Sequence, residues 1–106
     1  MSDPAAVRYA SQPENPRVLG RYLDACDAQA RQAPPRAARA IYDEAFDLLL
    51  DAVSDDCNPR HWRALCLDHL YRPLKALAAL ADSDTQRQQL REREARMRVL
   101  THYFLP

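Results

Sequence analysis

Between Val18 and Ala30 the apolar residues Val18, Leu19, Tyr22, Leu23, Cys26 and Ala30 recur at helical spacing. Asn15-Pro16 just ahead of them is a start signal. Asn caps helices, and Pro tolerates the first helical position because it has no N–H to satisfy. Pro34-Pro35 ends this first helix and opens a second. There Ala38, Ile41, Tyr42, Ala45, Phe46, Leu48, Leu49, Ala52 and Val53 make a wide apolar face that ends near Ser54.

Asn58-Pro59 repeats the start signal. At ~100° per residue, Trp62, Leu65, Cys66, His69, Leu70, Pro73, Leu74, Leu77 and Leu80 fall on one face of a third helix. That stripe runs through Pro73, which predicts a helix kinked or split there into two pieces sharing one face. Ser83 with Gln86 forms a capping box for a fourth helix over about 84–104. Its stripe of Leu90, Met97, Leu100 and Phe104 is thin and interrupted at Arg93, so its last two turns are expected to carry the packing.

The expected fold is therefore all-α: a single domain of about four mostly antiparallel helices over residues 15–106. Residues 1–14, with two Pro and little periodicity, are expected as a loosely ordered arm with one helical turn at Ala5–Tyr9.

Composition narrows the function classes. The 106 residues suit one domain with one core, and one Gly against eight Pro leaves no Gly-rich phosphate loop. Fifteen basic and fifteen acidic residues cancel, so the chain lacks the strongly basic footprint of a nucleic-acid binder. No apolar run approaches the ~18 residues of a membrane span, and Met1–Arg8 lacks the apolar core of a signal peptide. Three cysteines without such a signal are expected as reduced thiols in a cytoplasmic protein.

Candidate chemistry concentrates in Asn58–Pro73, "NPRHWRALCLDHLYRP". Cys66 and His69 are three apart and share a helix face, and Cys26 can reach them if the first and third helices pack together. A thiolate–thiolate–imidazole set could bind a transition metal such as zinc or iron. The competing reading makes both cysteines small core hydrophobes and His69 a core histidine with a hydrogen bond inside the protein. Catalysis by Cys66 and His69 lacks an orienting acid, because Asp68 points to the opposite side of the helix.

Arg60, His61 and Arg63 crowd one first turn, either for an anion or for carboxylates of the second helix. Tyr42–Asp56 carries six acids and no base, with Asp43, Asp47 and Asp51 on one ridge. The ridge is a solvated face or a docking surface for a basic partner. The apolar end, Val99–Pro106, either folds back on the core or is a partner-binding tip.

Residues 47–80, "DLLLDAVSD…PRHWRALCLDHLYRPLKALAAL", resemble the central part of the FagA family of small pseudomonad-type proteins. The resemblance is carried by Leu48-Leu49-Leu50-Asp51, His61-Trp62-Arg63, Leu65-Cys66-Leu67-Asp68, Arg72-Pro73-Leu74 and Leu77, roughly the central third of the chain. Family members are encoded beside fumarase C and a manganese superoxide dismutase in an iron-starvation operon. The resemblance implies a cytoplasmic accessory role in iron-limited or oxidative conditions, and carries over no catalytic residue. The expectation is a non-enzymatic protein, without a cofactor, that binds a protein partner or itself. The alternative is a metal-binding or redox-sensing module using Cys66 and His69 with Cys26.

Overall fold

The computed structural model describes residues 3–104 and is all-α, a single globule with no strand among those residues. Its helices are α1 (Pro4–Arg8), α2 (Arg17–Arg31), α3 (Pro35–Ser54), α4 (Arg60–Asp68), α5 (Tyr71–Leu80) and α6 (Asp84–Phe104). The molecule measures 37 × 32 × 15 Å, the thickness of two helices packed one on the other. α3 is the centre, packed against α1, α2, α4 and α5. Ala45, Phe46, Leu49, Ala52 and Val53 of α3 are fully buried.

The apolar stripes of the first and second predicted helices became the core faces of α2 and α3. The third predicted helix is split, and its two pieces keep one buried face through Trp62, Cys66, Leu70, Pro73, Leu74 and Leu77. The break falls at His69–Leu70 and puts Pro73 in the first turn of α5. There its missing N–H leaves no hydrogen bond unmade, whereas in an unbroken helix its ring would strike the carbonyl four residues back.

The two Asn-Pro signals act differently. The Asn15 side chain accepts from the Arg17 N–H at 3.2 Å and caps α2. Asn58 is buried and its amide donates to the carbonyls of Arg8 (2.9 Å) and Ala52 (3.0 Å). The capping box before α6 forms with a shift. Ser83 Oγ accepts from the Gln86 N–H, while Gln86 Oε1 accepts from the Asp82 N–H.

Residues 3–14, expected as part of an arm, contribute Ala6, Val7 and Ala10 to the core, and the Trp62 indole N–H donates to the Val7 carbonyl at 2.9 Å. Met1 and Ser2 of that arm lie outside the described residues. α1 closes in a Schellman turn, with the Ser11 N–H donating to the Ala6 carbonyl and Ala10 at φ 52°. Glycine usually holds that left-handed position, so the sequence carries no signal for it.

Candidate functional site

The cysteines lie in three separate environments. Cys66 is wholly buried, and burial alone pushes its thiol pKa up to about 12. At neutral pH it is a protonated thiol, a poor nucleophile and a poor ligand in that state. Cys26 is buried at the edge of a small cleft of about 170 Å³ between α2 and α3, whose walls include Tyr22, Glu44 and Pro4 and neither Cys66 nor His69. Burial raises the Cys26 pKa, against the lowering effect of a hydrogen bond with Tyr22. Cys57 is exposed. His69 is half-buried with Nδ1 2.8 Å from the Leu65 carbonyl, a turn back on its own helix. Among the described residues, no three or more His, Cys, Asp or Glu side chains are grouped so as to hold a metal ion.

The first-turn cluster of α4 is engaged by the protein itself. Arg63 donates from Nε to the Val53 carbonyl at 2.7 Å, so it caps the end of α3, and it reaches Asp56 at 3.4 Å. His61 meets Glu14 at 2.9 Å. Arg60 and Arg63 both lie on the Phe104 ring, at 4.9 and 5.0 Å from its centre. The described part of the C-terminal end thus folds back at Phe104, while Val99 and Tyr103 are about two-thirds exposed. Leu105 and Pro106, the remainder of the apolar end, lie outside the described residues.

Arg93, the interruption in the α6 stripe, turns out to be its main polar contact with α3. Its guanidinium lies 2.8 Å from Asp43 and 5.6 Å from the centre of the Phe46 ring. The acidic ridge is therefore covered at Asp43 and open at Asp47 and Asp51, which are exposed and form no ion pair among the described residues. A second network escaped the sequence reading. Arg72 of α5 pairs with Asp24 (3.1 Å) and Asp27 (2.7 Å) of α2, and Asp27 accepts from the Tyr42 hydroxyl at 2.9 Å. Burial, then that carboxylate, pushes the Tyr42 pKa up to about 12.

In comparisons with known proteins, no family model, curated protein or solved structure matched this chain.

What the geometry offers is a surface. α6 packs chiefly on α5 and α4 and meets α3 through side chains, with Arg93 at Asp43 and Leu100 near Leu50. Only Leu90 of its 21 residues is buried. Toward the C-terminal end the helices stand apart and leave an open apolar groove of about 460 Å³, lined by Leu50, Ser54, Ala95, Arg96, Val99 and Leu100. The expected packing of the last two turns is thus partial: Met97, Leu100 and Phe104 are half-buried. Sequence reasoning missed Leu50, Ala95 and Arg96. Leu50 lies ~100° round from the core position Leu49, and Ala95 and Val99 form a second row one turn apart behind the Met97 row. The acidic ridge and the apolar tip, expected as separate contact surfaces, adjoin at this groove. No helix among the described residues is long and apolar enough to cross a membrane.

Proposed function

We propose that this protein is a small non-enzymatic accessory factor that works by association through the groove between α3 and α6. One observation carries the reading: Val99, about two-thirds exposed, lines the apolar groove with Leu50 and Leu100, and Tyr103, equally exposed, lies one helical turn beyond Val99. Solvated apolar area of this kind gains free energy on being covered, at about 25 cal/mol per Å². The cytoplasmic setting we propose is supported by three cysteines without a disulfide, and the proposed role in iron-limited or oxidative conditions by the FagA-like segment alone.

The test is binding by Val99→Glu, a change at an exposed position that leaves the core intact. Wild-type protein is expected to form a saturable complex, with itself or with a protein captured from iron-starved cells. Val99→Glu is expected to lose that complex while keeping the wild-type circular dichroism and melting temperature. A complex that survives Val99→Glu unweakened contradicts the use of this surface.

A further inference from the structure

Resting on that reading, the geometry points to a second copy of this chain as the occupant of the groove. The inference comes from the charges around it. On α3, Asp47, Leu50, Asp51 and Ser54 share one face, being one helical turn or one step apart. The apolar floor is therefore flanked by two exposed carboxylates that form no ion pair among the described residues. On the α6 side stands Arg96, exposed and likewise without a carboxylate within ion-pairing distance among the described residues. Other carboxylates of the same acidic stretch are matched within the fold: Asp43 by Arg93, Asp55 by Arg8 and Asp56 by Arg63. Exposed charges of both signs, without an ion pair among the described residues, therefore flank the groove.

A wholly basic partner would satisfy Asp47 and Asp51 and repel Arg96. A wholly acidic partner would do the reverse. A copy of the same surface related by a two-fold axis answers both, because in such an interface residue i meets j while j meets i. Arg96 of each protomer then faces Asp47 and Asp51 of the other, and each protomer's Val99 and Tyr103 cover the other's Leu50 and Leu100. The chain's formal net charge of zero adds no overall repulsion between copies.

The experiment uses charge exchange between full-length chains in the analytical ultracentrifuge at low ionic strength. Wild-type protein is expected to move from 12.1 kDa toward twice that mass with rising concentration. The double variant Asp47→Arg, Asp51→Arg places arginine against arginine in a self-pair. Arg96→Asp places acid against acid. Each alone is expected to dimerise at least about tenfold more weakly, and an equimolar mixture of the two to recover dimer, since every cross-contact is again opposite in sign. All three positions are exposed, and circular dichroism verifies the folding of each variant.

Three results would overturn the inference. If wild type stays monomeric but binds another protein in a Val99-dependent manner, the second copy is wrong while association through the groove stands. If wild type dimerises and both charge variants do so equally well, the interface lies elsewhere. If the mixture fails to recover dimer although each variant alone has lost it, the cross-pairing of Arg96 with Asp47 and Asp51 is wrong.

Discussion

Trp62 is the residue on which several elements close. It is wholly buried in the first turn of α4, and its indole N–H holds the Val7 carbonyl of α1. Trp62→Phe removes that donor and leaves a buried carbonyl without it, an expected loss of about 1–3 kcal/mol in urea unfolding. Asn58→Ala strips two carbonyls, those of Arg8 and Ala52, and belongs in the same range. Cys66 makes a pH-dependent claim. Its folded thiol titrates near 12 against an ordinary value of 9.0. Above pH 9 the unfolded chain releases a proton that the folded chain keeps. This contribution to stability is therefore complete below pH 9 and is lost as the pH rises toward 12, by at most about 1.4 kcal/mol per pH unit. Stability measured from pH 8 upward is expected to fall more steeply in wild type than in Cys66→Ala. The same burial orders the thiols toward Ellman's reagent: Cys57 first, Cys26 slowly, Cys66 only as the protein unfolds. The stripe reading of "NPRHWRALCLDHLYRP" identified Trp62 and Cys66 as interior residues. It could not show the destination of the indole N–H, because Val7 is 55 residues away and lies in a segment without periodicity.

At the level of elements, α2 and α3 were legible because each carries a full apolar face bounded by proline. α6 was legible as a helix and not as a packed one. Beside its packing on α5 and α4, it is tied to α3 by Arg93, whose guanidinium lies over Phe46 and meets Asp43. No apolar periodicity marks such a contact. Arg93→Ala is expected to cost about 1 kcal/mol overall, and the loss is to be concentrated in α6. Hydrogen exchange of the α6 amides should then accelerate more than that of α3. Gly20 supplies the opposite case. It sits in mid-α2 without positive φ, and a Cβ there meets nothing within 4 Å. Gly20→Ala is expected to stabilise the protein by about 0.5–1 kcal/mol, read as a raised urea midpoint at unchanged slope. The packing of α1 was the least legible, since its turn uses Ala10 rather than glycine in the left-handed region.

As a whole molecule, the protein is a thin plate. One edge of α3 is covered by α6 near Asp43 and left open near Leu50. The groove arises because α6 packs on α5 and α4, and its second row, Ala95 and Val99, stands off the edge of α3. Neither helix alone announces it, which is why the ridge and the tip could be recognised in the sequence and their junction could not. Association at this junction also carries a salt signature. Exposed charges pair across it, and screening reaches a length of about 10 Å at 0.1 M salt, so added salt is expected to weaken the complex. A purely apolar interface would not weaken. The most direct measurement is sedimentation equilibrium of wild type beside Val99→Glu over the same concentration range. Self-association through the groove requires the wild-type mass to climb from 12.1 kDa toward twice that value while Val99→Glu stays at 12.1 kDa. Equal masses for the two proteins at every concentration would contradict self-association through the groove.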